Sequence, residues 1–200
     1  MQDIQNQKDD RNIPIDQVGV KDLSYPIVLL DRENEIQRTV ASINMYVNLP
    51  HDFRGTHMSR FVEILNEHHK HLKIDTIGQV LRRMKKKLDA EESHIEMFFP
   101  YFQEKEAPVS KAKSLTEYQC SFAGKLDDKI DIVLGVKVPV TTLCPCSKEI
   151  SKQGAHNQRS YISIQIRYNA LVWIEELIER AERAASSPVY SLLKREDEKV

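Results

Sequence analysis

Residues 41–49 read Ala-Ser-Ile-Asn-Met-Tyr-Val-Asn-Leu, and Pro50 follows. Apolar Ala41, Ile43, Met45, Val47 and Leu49 alternate with Ser42, Asn44, Tyr46 and Asn48. A period of two places every apolar side chain on one face, so the stretch predicts a half-buried strand that stops at Pro50. Upstream, Tyr25-Pro-Ile-Val-Leu-Leu-Asp31 is a short apolar run that predicts another strand. Residues 1–22 are polar with few apolar anchors and read as an N-terminal arm.

Downstream, the loop His51–His57 leads into a helix that Thr56 or Ser59 would cap and that runs to about Lys70. Phe61, Ile64 and Leu65 form its apolar face, with Met58 on the same side. Asp75 or Thr76 opens a second helix to about Ala90, striped by Ile77, Val80, Leu81, Met84 and Leu88. Lys85, Lys86 and Lys87 read as its solvated face. His68, His69 and His71 close the first helix, where a helix dipole favours them. Ile95–Glu104, Leu115–Lys125 and Lys129–Val140 read as strands, the last two paired across Asp127-Asp128. Cys120 falls in one of these alternating runs and reads as a small core residue.

From Lys129 the pattern restarts: a strand, a cysteine-bearing loop, a strand over Ser160–Tyr168, and a helix from about Leu171. Ile162, Ile164, Ile166 and Tyr168 face one side of that strand; Ser163, Gln165 and Arg167 face the other. The helix carries Leu171, Ile174, Leu177, Ile178 and Ala181 and is broken at Ser186-Ser187-Pro188. Val189–Leu193 reads as the start of another helix. The result is an α+β chain of antiparallel strands with helices packed on one face. It repeats weakly in pattern, ββ-αα-ββ then ββ-α-(α). The expected division is an arm (1–22), a first unit (23–127) and a second unit (128–200) that lacks its last two strands and is incomplete at its C-terminal side.

Composition limits the function classes. The chain has 200 residues and a formal net charge of -1, which argues against a general nucleic-acid binder. No apolar run approaches the roughly 18 residues of a membrane span. The polar start MQDIQNQKDDRN lacks the apolar stretch of a signal peptide. Three cysteines, an odd and low number, fit a reducing cytoplasm with free or metal-bound thiols.

The chemistry gathers between Val140 and Ser160. Cys144-Pro-Cys146 stands in a loop braced by strands on both sides, with Cys144 twelve residues before His156. Thiolate and imidazole are good ligands for zinc or iron. With only two or three ligands nearby, an open coordination position is one reading, and a nucleophilic cysteine with His156 as its base is another. Arg159 is a natural phosphate partner, with the Asn157 and Gln158 amides beside it. Arg54-Gly-Thr-His-Met-Ser-Arg60 places arginines and hydroxyls at a helix start, a candidate anion cradle.

Three segments, Arg54-Gly-Thr-His-Met-Ser-Arg-Phe61, Thr142-Leu-Cys-Pro-Cys-Ser-Lys-Glu-Ile-Ser151 and His156-Asn-Gln-Arg-Ser160, together resemble the type IB GTP cyclohydrolase family. The resemblance runs from about Val18 to the end of the chain. It implies a tunnelling fold, in which ββααββ units assemble into an oligomeric barrel, and a homotetramer with active sites at subunit interfaces. It implies conversion of GTP and water to 7,8-dihydroneopterin triphosphate and formate, by attack of a metal-activated water on C8 of guanine. That is the entry to tetrahydrofolate and, in bacteria, queuosine. Carried over by position, Cys144 and His156 are catalytic residues and metal ligands, with Glu198 a third ligand and Cys146 the weaker of the two cysteines. Zinc, manganese and iron all suit such a set. Arg54, His57, Ser59, Arg60, Asn157 and Arg159 form the substrate shell. Family members continue past this point with a guanine-anchoring glutamate, so the matching segment is expected beyond Val200. Two alternatives stay open: an NADPH-dependent nitrile reductase of the same fold with a cysteine nucleophile, and a non-catalytic module holding a structural Cys/His zinc.

Overall fold

The computed structural model describes residues 13–51, 55–67, 76–151, 157–168 and 171–199. Among them, hydrogen bonds link the strands in the order β1-β2-β3-β4-β5-β6, with a short β7 on β5. The pairings β1–β2, β2–β3 and β5–β7 are antiparallel. With four α-helices, this is the α+β chain that the alternating runs imply. Contacts divide it into two units: residues 1–99 with 121–134, and 100–120 with 135–200. Strands β3 (Ser93–Glu106), β4 (Lys113–Leu126) and β5 (Ile130–Leu143) each contribute one part to each unit.

In the first unit, β1 (Ile15–Asp31) and β2 (Glu35–Leu49) form a long hairpin that pairs Asp31 with Glu35. The Asp31 carboxylate builds the turn by accepting the Glu33 and Asn34 amides at 2.9 and 2.7 Å. β2 then pairs with β3 from Ser42↔Phe98 to Val47↔Ser93. Ala41, Ile43, Met45, Val47 and Leu49 are all buried, as their alternation requires. Phe61, Ile64 and Leu65 of α1 (Met58–Glu67) and Ile77, Val80, Leu81 and Met84 of α2 (Ile77–Lys87) are buried too. The Tyr25 hydroxyl donates to Leu65 O at 3.1 Å, and Ser93 Oγ to Leu81 O at 2.9 Å, so both helices are tied to the strands. Gly124 lets β4 meet α2 closely: a Cβ there would stand 3.1 Å from Leu81 Cδ1.

Three expectations change in this unit. The hydrogen-bonded strand starts at Ile15, so residues 15–22, read as part of an arm, pair with β2. Met58 is exposed, not part of the buried face of α1. The lysine run is only partly a solvated face: Lys87 bridges to Glu63 and Glu67 of α1 at 2.7 and 3.4 Å, and Lys85 donates to Asp127 O at 2.6 Å. His68, His69 and His71 lie outside the described residues.

In the second unit, α3 (Pro145–Ile150) follows β5, then β6 (Asn157–Arg167), α4 (Ile174–Ala184), β7 (Ser187–Pro188) and a 3-10 helix, Asp197–Lys199. Along β6, half-buried Ser160, Ile162, Ile164 and Ile166 alternate with exposed Tyr161, Ser163, Gln165 and Arg167. α4 buries Ile174, Leu177, Ile178 and Ala181. Leu171 precedes this helix and is exposed. Polar bonds fasten α4 to the strands. Tyr101 donates to Glu175 Oε1 at 2.7 Å, while Tyr118 and Lys105 both donate to Glu182 Oε1, at 3.0 and 2.7 Å. Cys120 is free and buried, the core residue its strand position predicts.

Two local readings fail here. The cysteine segment is not all loop, because Pro145 begins a short helix. Residues 189–193 are not helical. Their polar groups bond to neighbouring strands instead: Lys105 Nζ donates to Val189 O at 2.9 Å, and the Thr116 and Ser191 hydroxyls meet at 2.9 Å.

Candidate active site

Cys144 stands at the junction where β5 ends and α3 begins. Its extended backbone (φ -70°, ψ 123°) and Pro145 at the first helical position turn the chain sharply. Its carbonyl accepts the Lys148 amide at 3.2 Å, and its thiol makes no capping bond. The thiol is free and half-buried, whereas that of Cys146, in the first turn, is exposed.

The junction is braced by three neighbours. The Thr142 and Ser160 hydroxyls meet at 3.2 Å and join the end of β5 to the start of β6. Thr141 Oγ1 donates to Ser187 O at 3.1 Å, beside the Thr141↔Ser187 pairing with β7. The Leu143 amide donates to Ser186 Oγ at 3.2 Å. Bonds from Thr141, Thr142 and Leu143 therefore hold the end of β5 that leads into Cys144.

The other sequence-derived residues fall into separate groups. Asn157 and Arg159 are both exposed on β6, two residues apart and so on one face. Glu198 is exposed on the 3-10 helix. In the first unit, α1 begins at Met58, so Ser59 lies inside its first turn and is exposed, not ahead of the helix as a cap. His57 precedes it, half-buried, and its carbonyl accepts the Arg60 amide at 3.1 Å. Arg60 Nη1 donates to Lys87 O at 3.1 Å, which leaves most of the five guanidinium N–H groups for other acceptors. Arg54 and His156 lie outside the described residues.

Among the described residues, no three His, Cys, Asp or Glu side chains come together as a metal cluster. The donors that are described still suit a metal of the zinc, manganese or iron class: a free, half-buried thiol on a fixed backbone and an exposed carboxylate.

The sequence reading misses Asp197. Its side chain is 5% exposed. Oδ1 accepts the Val109 and Ser110 amides at 2.9 and 2.8 Å; Oδ2 accepts the Ser110 hydroxyl and the Lys194 amide, both at 2.7 Å. Burial opposes the charge, but these bonds outweigh it and hold the carboxyl well below the usual carboxylate range. Its partners at 109 and 110 lie far back in the chain, and no local motif announces them.

No helix among the described residues is long and apolar enough to cross a membrane. A family model described as type I GTP cyclohydrolase FolE2 matches residues 1–200. The GTP cyclohydrolase FolE2 of Citrifermentans bemidjiense is 61% identical over 199 residues, covering 100% of this chain and 74% of that protein. That of Geobacter sulfurreducens is 59% identical over 199 residues, 77% of its length, and that of Syntrophus aciditrophicus 55% over 200 residues, 78% of its length. The chain belongs to the type I GTP cyclohydrolase FolE2 family. The match is to type I as a whole and does not distinguish a IB branch.

Proposed function

We propose that this chain converts GTP and water to 7,8-dihydroneopterin triphosphate and formate. The observation that carries the reading is the 55–61% identity to GTP cyclohydrolases over essentially the whole chain. It is a GTP cyclohydrolase, a hydrolase whose substrate is GTP.

Cys144, His156 and Glu198 hold a divalent metal, with Cys146 the lesser candidate. Zinc, manganese and iron are all compatible with mixed sulfur, nitrogen and oxygen ligation. When bound, the metal supplies Lewis acidity that moves the ionisation of water toward neutral pH, for attack at guanine C8. The braced β5–α3 junction holds the backbone that carries the Cys144 thiol before the metal arrives, so less chain ordering is needed on binding. Arg159 offers paired N–H donors to phosphate oxygens, with Asn157 beside it. Arg54, His57, Ser59 and Arg60 belong to the substrate shell, and the bond to Lys87 O orients Arg60. Binding energy from the triphosphate, remote from C8, orients the base.

The same proposal includes the IB branch, which rests on the three motifs. It includes tandem tunnelling-fold units, a homotetramer with interfacial active sites, a cytoplasmic setting, and supply of tetrahydrofolate or queuosine. The antiparallel strands with buried helix faces in each unit support the fold reading. The test is turnover of GTP by metal-stripped protein resupplied with zinc or manganese, following formate and the fluorescence of the oxidised pterin. Metal-dependent release of both is expected. Metal-independent consumption of NADPH would replace the reading with the reductase. One tightly held zinc without turnover would replace it with a structural site.

A further inference from the structure

We propose that Asp197 is the positioning residue for Glu198: it fastens the segment that presents Glu198 to the β3–β4 loop and so sets the affinity of the metal. This rests on the reading of Glu198 as a ligand.

The segment from 189 onward has little apolar anchorage. Leu192 and Leu193 are 37% and 46% exposed, and residues 191–196 and 198 are exposed throughout. Polar tethers hold it instead. Lys105 Nζ donates to Val189 O at 2.9 Å and lies 4.7 Å from the Tyr190 ring centroid. The Thr116 and Ser191 hydroxyls meet further along. The last tether, Asp197, is also the strongest, because the four hydrogen bonds that its carboxylate accepts are charge-assisted and short.

Asp197 closes its own turn from both directions. Its amide donates to Lys194 O at 2.9 Å while its carboxylate accepts the Lys194 amide at 2.7 Å. The receiving loop is itself fixed: Ala107 N donates to Ala112 O at 3.0 Å, and the Ser110 hydroxyl accepts the Ala112 amide at 3.3 Å. Glu198 is the next residue in the same 3-10 turn. Its backbone is therefore placed by bonds to residues some ninety positions earlier, while its own side chain stays exposed. A ligand carried by an untethered segment would lose conformational freedom on binding metal, and that cost would appear as weaker affinity. Groups that orient a ligand without touching the metal typically carry about 10- to 100-fold in affinity.

The experiment measures the zinc Kd of the full chain by competition with a chromophoric chelator, for wild type, Glu198→Gln, Asp197→Asn, Ser110→Ala and the double variant of the first two. Asn keeps one acceptor oxygen where Asp has two and puts an N–H2 against the other donors, so it breaks the tether with little change in size. Weakening of about 10-fold or more is expected for Asp197→Asn, with a few-fold loss for Ser110→Ala. The double variant should bind like Glu198→Gln alone, because a tether matters only while the ligand it positions is present. A general structural effect would instead add to the loss. Wild-type affinity in Glu198→Gln would overturn the ligand reading and this inference with it. Weak binding in Glu198→Gln beside wild-type binding in Asp197→Asn would overturn the inference alone. If Asp197→Asn does not fold, Ser110→Ala decides: unchanged affinity there overturns the tether.

Discussion

Cys144 and Cys146 are two residues apart, yet the fold gives them different surroundings. Cys144 ends the strand approach and is half-buried, with its backbone fixed; Cys146 faces solvent in the first turn of a short helix. A metal ligand benefits from the first setting, because fewer degrees of freedom are lost on coordination. Cys144→Ala should abolish metal binding and turnover while changing folding stability by about 1 kcal/mol or less, since its thiol caps nothing. Cys146→Ala should retain the metal. Metal analysis and a denaturant titration of each variant check this; a metal-free Cys146→Ala beside a metal-bound Cys144→Ala would reverse the assignment. The sequence suggests this chemistry because thiol, imidazole and arginine lie close along the chain. It does not reveal Asp197, whose partners are backbone amides that only the fold brings near. Nor does it reveal that Arg60 spends a donor on Lys87 O.

Among the elements, β2 and α2 are the most legible, because Ala41–Leu49 of β2 and the apolar stripe of α2 each bury a regular row of side chains. β1 is the least. Its register shifts between Ile15 and Val18 and between Val20 and Leu23 break the two-residue rhythm, so apolar and polar residues change face within a few positions. Asp22 lies at φ 56°, and its amide donates to Asn44 Oδ1 at 2.9 Å, which holds the second irregularity in place. Gly19, between the two, packs against β2 with no room for a side chain: a Cβ there would stand 1.9 Å from Met45 O. The obstacle is backbone and cannot rotate away. Gly19→Ala should destabilise the protein by about 2 kcal/mol or more, or unpair the N-terminal part of β1. Urea unfolding with hydrogen exchange at Val18 and Val20 distinguishes the two. A change under about 0.5 kcal/mol with intact protection would mean that β1 is held less tightly than its register shows. The failed helix at 189–193 has a related cause, since tethers to β3 and β4 override a marginal local preference.

At the scale of the whole molecule, stability should fall in alkali through groups buried in the second unit. Burial, with the nearby Glu175 carboxylate adding to it, pushes the Cys120 thiol from 9.0 up to about 12. Burial first, then the Glu182 carboxylate, raises the Tyr118 hydroxyl well above its ordinary 10.0. Each group keeps its proton in the folded chain after the unfolded chain has released it. Below pH 9 both states hold the thiol proton and its contribution is whole. Between 9 and 12 the unfolded state ionises alone, so the contribution declines as pH rises toward the folded value. One such proton corresponds to about 1.4 kcal/mol per pH unit once the unfolded group is fully ionised. Tyr118, with Tyr25 and Tyr168, whose hydroxyls burial also raises, adds most of its slope above 10, so the thiol contributes most strongly in the interval from 9 to 10. Denaturant midpoints measured at quarter-unit steps should fall through that interval more steeply in the wild type than in Cys120→Ala, whatever the variant's absolute stability, the slope that remains belonging to the raised tyrosines. Equal slopes in the two proteins would mean that Cys120 reaches solvent readily, against the 3% exposure that places it in the core.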